Sequence, residues 1–139
     1  MNKLETAKLI CRLAHKGQVD RAGEDYYKHP YKVADLCSRR VDKIVAYLHD
    51  IIEDTDINYD DLIECGFSKR VINALTAITH DKSTRYLDYL KIVRKNKIAR
   101  RVKIADLTHN ADISRIKHPT QKDVDRCNKY LEYKHFLEI

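Results

Sequence analysis

The spacing of apolar residues constrains the fold of this 139-residue chain more than any other feature. Leu4, Ala7, Cys11 and Ala14 recur every three or four positions, and such positions share one face of an α-helix. A stripe of this kind predicts a helix whose apolar face lies in the core. The same pattern predicts helices over about 30–39, 44–52, 68–78, 84–95, 98–116 and 120–137, with Ser68 and Thr120 as N-caps.

Residues that break regular structure are scarce, since the chain has three Gly and two Pro. This scarcity allows few tight turns and argues against a β-sandwich or barrel. The polar stretch 17–29, which contains two of the glycines, and the stretch 54–59 are predicted loops. A chain of this length buries about two thirds of its unfolded surface on folding, and no repeat or linker divides it. We therefore expect residues 1–139 to form a single compact all-α domain of six to eight helices.

The composition limits the partners and the cellular location of the protein. Lys and Arg outnumber Asp and Glu by 27 to 21, a net charge of +6, which favours nucleotides, other phosphates or nucleic acid without choosing between them. Because no run of about 18 apolar residues and no signal-peptide pattern occur, we expect a soluble, cytoplasmic protein that does not insert in membranes. The four cysteines lie far apart, which argues against a zinc ribbon or disulfide scaffold and predicts buried free thiols.

The segment VAYLHDIIEDT concentrates groups that bind metals. In a continuous helix, His49 would lie above Glu53 and Asp50 above Asp54, so that an imidazole and three carboxylates share one edge. Carboxylates this close repel one another unless a divalent cation lies among them, and this mixture of ligands suits Mn, Fe or Zn. The alternative interpretation, a solvated helix end, stays open at this point.

A second group of polar residues lies in the segment VKIADLTHN. Asp106, His109 and Asn110 share one helix face, with Lys103 one turn earlier, and His29 offers another imidazole at the end of the first predicted loop. Taken singly, each of these residues is also explained as a helix cap or a surface group.

The order of these groups is more specific than any one of them. An isolated His29, then the doublet of His49 and Asp50, then Asp106, is the ligand order of the HD metal-dependent phosphohydrolases. The chain resembles that superfamily, and within it the RelA/SpoT-type guanosine tetraphosphate hydrolases in their short, hydrolase-only form. The matching segments, which extend over nearly the whole chain, are AHKGQVDRAGEDYYKHPYKVA, VAYLHDIIEDT, GFSKRVINAL and VKIADLTHN.

The resemblance implies an all-helical HD fold that holds one divalent metal ion, manganese, on four side chains. These ligands are His29, His49, Asp50 and Asp106. It also implies that the acids after the doublet, Glu53 and Asp54, act in catalysis by orienting water and moving protons.

The resemblance further implies contacts to substrate. Arg21, Tyr26 and Asn110 match positions near the nucleotide, and Lys103, one turn before Asp106, is predicted to approach a substrate phosphate. The chain also departs from the usual pattern. Asp20 stands where an Arg usually lies against the guanine base, which removes a guanidinium stack, and Leu107 replaces a second Arg.

Three functional hypotheses follow. The first is metal-dependent hydrolysis of a phosphorylated nucleotide, namely removal of the 3′-pyrophosphate from guanosine tetra- or pentaphosphate. The second, which Asp20 favours, is an HD phosphatase that acts on nucleoside monophosphates or other phosphorylated metabolites. The third is a non-catalytic nucleotide sensor or nucleic-acid-binding module that uses the basic stretch 91–103. Nucleic acid is not expected as a partner, because a solvated helix face also explains that stretch, and the sequence leaves the oligomeric state open.

Overall fold

A computed structural model describes all residues 1–139 and is built almost entirely of helices. The nine α-helices and one short 3-10 helix are α1 (Lys3–Ala14), α2 (Lys28–Asp35), α3 (Arg40–Leu48), α4 (Ile51–Asp54), α5 (Tyr59–Glu64), α6 (Lys69–Ile78), α7 (Tyr86–Lys95), α8 (Lys97–Asn110), the 3-10 helix (Ile113–Arg115) and α9 (Gln121–Glu138). The predicted all-α class is confirmed, and the four-residue α4 takes the count one above the predicted range. None of these helices combines the length and apolar character that a membrane crossing needs.

Helices α3 and α8 form the centre of the bundle. α3 packs against α1, α2, α6 and α8, and α8 also packs against α7 and α9. All residues from Ile44 to Leu48 are buried, as are Ala99, Val102 and Leu107 of α8. Full burial of a Leu or Val side chain contributes about 1.5–3 kcal/mol, so these two helices supply much of the core energy. α8 also carries Lys103, Asp106, His109 and Asn110, and α3 ends directly before the His49–Asp50 doublet.

The helix predicted over 44–52 is interrupted at the His49–Asp50 doublet. α3 ends at Leu48, and α4 begins only at Ile51. The reason is local: the His49 Nδ1–H group donates to the Ala46 carbonyl at 2.5 Å. That carbonyl is the acceptor that a continuing α-helix would offer to the Asp50 amide.

Capping side chains define several other helix boundaries. The Ser68 hydroxyl accepts the Val71 amide at 3.2 Å, and Thr120 forms a capping box with Asp123, so both predicted N-caps are confirmed. α8 ends at Asn110 and does not continue to 116, because the Asp112 side chain accepts the Ser114 amide and starts the 3-10 helix.

The loop between α1 and α2 delivers an aromatic side chain to the centre of the molecule. The chain turns away from α1 at Gly17, whose φ of 87° is accessible to glycine at little cost. Val19 and Asp25 then form an isolated antiparallel bridge, and the Tyr26 amide donates to the Gln18 carbonyl at 2.8 Å. This compact turn places the Tyr26 ring beside α3.

The cysteines follow the prediction at three of four positions. Cys11, Cys37 and Cys127 are buried free thiols, whereas Cys65 is exposed, which corrects the expectation that all four are buried. Cys65 caps the short α5 and directly precedes Gly66, where the chain reverses with a φ of 88°. Its side chain therefore lies outside the core.

Replacement of a central core residue tests this packing. We expect Leu48→Ala, at a side chain that is 0% exposed, to lower the free energy of unfolding by about 2–5 kcal/mol, because it leaves a cavity between α3 and its four neighbours. Denaturant unfolding measures the change. Leu87→Ala is the matched control at a side chain that is 48% exposed, and we expect a change within about 0.5 kcal/mol. Equal losses in both variants would contradict the assignment of the core.

Candidate metal centre and active site

The break after α3 turns two adjacent side chains toward one point. Successive residues of an α-helix diverge by about 100°. The continuous helix expected from the sequence would therefore hold the His49 and Asp50 side chains apart along its edge, and the structure corrects that expectation. In the structure the His49 Nε2 atom lies 3.1 Å from Asp50 Oδ2. The interruption of the helix therefore brings both members of the doublet into one cluster.

Helices α2 and α8 supply the other two members. His29 lies in the first turn of α2 and Asp106 near the end of α8, and both are buried. The Asp106 Oδ1 atom is 2.7 Å from His29 Nε2 and 3.2 Å from His49 Nε2. His29 Nε2 is also 3.9 Å from Asp50 Oδ2. The four predicted ligands thus lie together, although they come from three separate parts of the chain.

Burial makes this group of charges depend on mutual neutralisation. Burial by itself raises the pKa of Asp50, but His49 and the other nearby imidazole outweigh it and hold that pKa at about 2. Burial likewise lowers the pKa of His49, yet the Asp50 and Asp106 carboxylates raise it well above its usual value. The two carboxylates thus favour a positive charge at the position of His49 Nε2. A bound cation would supply this charge.

The outer hydrogen bonds of the imidazoles select the tautomer that metal binding requires. Because His49 Nδ1–H donates to the Ala46 carbonyl, the lone pair of its neutral form lies on Nε2, inside the cluster. His29 Nδ1 lies 2.7 Å from His109 Nδ1. Burial, followed by His29 itself, lowers the pKa of His109 to about 4, so His109 is neutral and its Nδ1 can accept a hydrogen bond from His29 Nδ1–H. In that tautomer the lone pair of His29 lies on Nε2, which faces Asp106 and Asp50.

The arrangement fits a divalent cation. A cation that binds N and O ligands at about 2.1 Å holds neighbouring ligand atoms about 3.0–3.4 Å apart. The contacts between imidazole and carboxylate in the cluster span 2.7–3.9 Å, and the ligand atoms of His29, His49 and Asp50 all lie within 4.8 Å of one another. Two imidazoles with carboxylates suit Mn, Fe or Zn better than Mg or Ca.

Three side chains orient the carboxylates from outside. Tyr26 donates its hydroxyl to Asp50 Oδ2 at 2.5 Å, and burial, followed by the Asp50 charge, raises the pKa of Tyr26, which keeps the donor protonated. Lys103 Nζ donates to Asp106 Oδ2 at 2.9 Å, and Asn110 Nδ2 donates to Asp106 Oδ1 at 3.3 Å. Lys103 and Asn110, predicted to contact substrate, thus hold a candidate metal ligand in this structure.

The two predicted catalytic acids lie on α4 at the exposed side of the cluster. Glu53 Oε1 accepts the backbone amide of His80 at 2.5 Å, which fixes this carboxylate against the loop after α6. Partial burial, followed by the negative charges of Asp50 and Glu53, raises the pKa of Asp54. One exposed acid is thus oriented by a backbone amide, and the other holds a proton more readily than an ordinary Asp.

Arg21 lies apart from the metal cluster. Its guanidinium pairs with Asp123 at the start of α9 at 2.8 Å, and its side chain is 63% exposed. Asp20, which stands where the resemblance places an Arg, accepts the amides of Ala22 and Glu24 and pairs with Arg115 at 3.0 Å. The carboxylate of Asp20 is therefore satisfied within the protein.

A cavity of about 290 Å³ lies beside the cluster. Tyr26 and Asn110, which contact Asp50 and Asp106, form one side, and Arg115 and Arg126 are among the residues that line the rest. Arg115 also donates to the His109 carbonyl at 3.3 Å, so two acceptors hold its guanidinium in place. Arg21 also lines this cavity, which meets the metal cluster through Tyr26 and Asn110.

Sequence reasoning missed part of this site. The sequence placed His109 on the same helix face as Asp106, three residues away, and this spacing was the signal that His109 lies near the cluster. Its hydrogen bond with His29 was not predicted. No sequence pattern relates Arg115 to Asp20, or the His80 amide to Glu53, because these partners are 95 and 27 residues apart.

Metal binding is directly measurable as stabilisation. We expect Mn²⁺ at one hundred times its dissociation constant to raise the free energy of unfolding by about 2.7 kcal/mol. Asp106→Asn removes a buried ligand charge and is expected to abolish the increase, whereas Asp125→Asn on exposed α9 leaves it intact. The readout is the difference with and without metal, so a change in basal stability does not obscure it. An unchanged increase in Asp106→Asn would rule out this cluster as the binding site.

Comparison with known proteins gives a consistent result. The chain is 31% identical over 126 residues to the bifunctional (p)ppGpp synthase/hydrolase SpoT of Escherichia coli K12, which covers 79% of this chain and 18% of that protein. It is 33% identical over 117 residues to the guanosine-3′,5′-bis(diphosphate) 3′-pyrophosphohydrolase of Haemophilus influenzae, covering 73% of this chain and 17% of the relative. The chain therefore spans less than a fifth of the length of these curated relatives. No family model matches it.

The fold comparison covers almost the entire chain. A solved structure described as a metazoan ortholog of SpoT that hydrolyzes ppGpp and plays a role in starvation responses superimposes with a TM-score of 0.74. The match includes 99% of this chain and 84% of that chain at 22% sequence identity. The predicted resemblance is confirmed by sequence and by fold: this chain is a homologue of the SpoT-type pyrophosphohydrolases and has their all-helical HD-domain fold.

Proposed function

We propose that this chain is a metal-dependent phosphohydrolase that removes the 3′-pyrophosphate from guanosine-3′,5′-bis(diphosphate). The observation that carries the proposal is that the ligand atoms of His29, His49 and Asp50 lie within 4.8 Å of one another, with Asp106 Oδ1 against both imidazoles and two exposed acids on the adjoining α4. The substrate is suggested by the relatives, several of which are named for this reaction. We further propose that residues 1–139 act as one HD-type domain, and that the metal is Mn²⁺.

The candidate ligands hold the metal, and the protein supplies the remaining groups. When bound, a divalent cation makes hydroxide available near neutral pH and neutralises charge that builds up on the phosphoryl oxygens. Tyr26 and Lys103 keep the carboxylates of Asp50 and Asp106 in their positions through direct hydrogen bonds. Such outer contacts commonly change metal affinity or activity by about 10–100-fold when they are removed.

Proton transfer falls to the two exposed acids. The His80 amide holds Glu53 Oε1, while the structure gives Glu53 Oε2 no protein donor, so this oxygen is free to accept a proton from the attacking water. The pKa of Asp54 is raised, which suits an acid that delivers a proton to the leaving oxygen. One acid thus acts as the base and its neighbour as the proton donor.

The nucleoside is proposed to bind in the 290 Å³ cavity beside the metal cluster. Arg115 and Arg126 provide guanidinium groups there, and Arg115 is held in place by Asp20. A planar guanidinium stacks on a base or binds phosphate. Arg115 is therefore proposed to take the part that the resemblance assigns to an arginine at the position of Asp20.

The Asp20–Arg115 pair also favours a second candidate substrate class. Because Asp20 accepts a hydrogen bond from Arg115 Nη2, that guanidinium has fewer free donors for a guanine base or a second phosphate. A smaller ligand, such as a nucleoside monophosphate or another phosphorylated metabolite, would need fewer free hydrogen-bond donors from Arg115. The metal centre and the two acids would act on it in the same way.

Substitution of Glu53 separates catalysis from metal binding. We expect Glu53→Gln to lower kcat for pyrophosphate release by about 10²–10⁴-fold, because the amide cannot accept the proton, while metal affinity is retained. Asp50→Asn is expected to lose both activity and metal. Phosphorus NMR of the products, together with metal titration of each variant, measures the two effects.

Glu64→Gln on the exposed side of α5 is the matched control and should keep full activity. Full activity in Glu53→Gln would contradict the role of Glu53. If the metal-loaded protein left guanosine tetraphosphate intact but cleaved nucleoside monophosphates, the second substrate class would replace the first. Failure on every phosphorylated substrate, with metal bound, would overturn the enzymatic proposal.

A further inference from the structure

The helix that carries the two exposed acids, α4, is too short to hold its own direction. It contains four residues. The Asp54 amide donates to the Asp50 carbonyl at 3.0 Å, and the Thr55 amide donates to the Ile51 carbonyl at 3.1 Å. A single turn of this kind is unstable in isolation, because its first hydrogen bonds must fix several residues at once. Contacts from outside α4 must therefore set the position of its side chains.

Two contacts reach α4 from distant parts of the chain. On one side, the His80 amide donates to Glu53 Oε1. On the other side, Gln18 Nε2 donates to the Asp54 carbonyl at 2.9 Å, across 36 residues of sequence. This carbonyl lies at the C-terminal end of α4, where a helix has no backbone donor of its own to offer. Gln18 therefore holds the backbone of one acid, and the His80 amide holds the side chain of the other.

His15 orients the Gln18 side chain. His15 Nδ1 lies 2.9 Å from Gln18 Oε1. Because an amide oxygen only accepts hydrogen bonds, Nδ1 carries the proton and donates it. This bond leaves the amide nitrogen of Gln18 directed at the Asp54 carbonyl. The imidazole itself is fixed, since it is 1% exposed and its ring centroid lies 5.0 Å from that of Tyr26.

The second nitrogen of His15 indicates why an imidazole stands at this position. His15 Nε2 is buried, and no protein group donates to it. A buried acceptor without a donor lowers stability, whereas an apolar side chain of similar size would avoid that loss. Local rules of this kind are typically broken at functional sites. The imidazole is therefore explained by its bond to Gln18 and not by packing.

We propose that His15 and Gln18 are positioning residues that hold α4 so that the Asp54 carboxyl is directed at the substrate. The inference rests on the proposed function, in which Asp54 delivers a proton to the leaving oxygen, and it adds the pair of side chains that sets the place of this acid. Neither side chain forms a hydrogen bond with the four candidate metal ligands. Metal binding should therefore be unaffected when either is replaced.

Gln18→Met tests the link to α4, because Met has the length of Gln but cannot donate to the Asp54 carbonyl. We expect kcat to fall about 10–100-fold, since a small displacement of a reacting group has an effect of this size. KM should stay within about twofold, because the contacts that bind substrate are retained. The stabilisation by Mn²⁺ should equal that of the wild type.

Amide hydrogen exchange supplies a readout that does not depend on activity. In Gln18→Met, the amides of Asp54 and Thr55 should exchange at least about tenfold faster than in the wild type, because α4 opens more often without its outer contact. Gln121→Met, at the exposed start of α9, is the matched control and should change neither kcat nor this exchange.

Two variants of His15 separate orientation from packing. His15→Asn keeps an N–H donor close to the position of Nδ1, whereas His15→Leu fills the space but donates nothing. We expect His15→Leu to lose kcat as Gln18→Met does, without loss of stability, and His15→Asn to retain more of it. Equal losses in the two His15 variants would contradict the orienting role.

The outcomes distinguish this inference from the proposed function. An active wild type with full kcat in Gln18→Met, or unchanged exchange at Asp54 and Thr55 in that variant, would overturn the positioning role alone. A metal-loaded wild type that cleaves no phosphorylated substrate would overturn the proposed function, and the positioning role with it.

Discussion

The hydrogen bond from His49 Nδ1 to the Ala46 carbonyl is the contact on which the centre of this molecule depends. It uses the acceptor that would otherwise carry α3 forward, and so it accompanies the end of that helix. The same bond keeps the lone pair of neutral His49 on Nε2, where Asp50 and Asp106 lie. One interaction thereby links the backbone path, the imidazole tautomer and the position of two candidate ligands.

The cost of burying this cluster explains why so much of the protein is arranged around it. Two carboxylates and two imidazoles are buried or nearly buried, and such charges are stable only when they are paired and hydrogen-bonded. Tyr26, from the loop before α2, and Lys103, on the centrally packed α8, provide those bonds. The core therefore contributes to the site by fixing distances between charged groups. The open side, with Glu53 and Asp54, remains accessible to a substrate.

Apolar periodicity predicted the helical class because it is a property of local sequence. The members of the cluster were predicted only through the resemblance to the HD phosphohydrolases, because each residue taken singly was ambiguous. The sequence did not predict the break at His49, since helical periodicity continues through Ile51 and Ile52 and the competing bond comes from the side chain of His49 itself. The ion pair between Asp20 and Arg115 could not be predicted from the sequence for a different reason. Those residues meet only after α8 and the 3-10 helix have been placed against the first loop. The role of Leu107 was also not predicted. It stands where the family pattern has an Arg, and in the structure it is a fully buried core residue that contributes packing and no substrate contact.

The central claim is that His29, His49, Asp50 and Asp106 surround a single cation. Anomalous X-ray diffraction from crystals of the full chain grown with manganese tests it most directly, because it locates the ion without reference to activity. The account predicts one strong peak with an Nε2 atom of each histidine and an oxygen of each aspartate within about 2.2 Å. A peak bound by other residues, or crystals whose manganese shows no ordered peak between these four side chains, would contradict it.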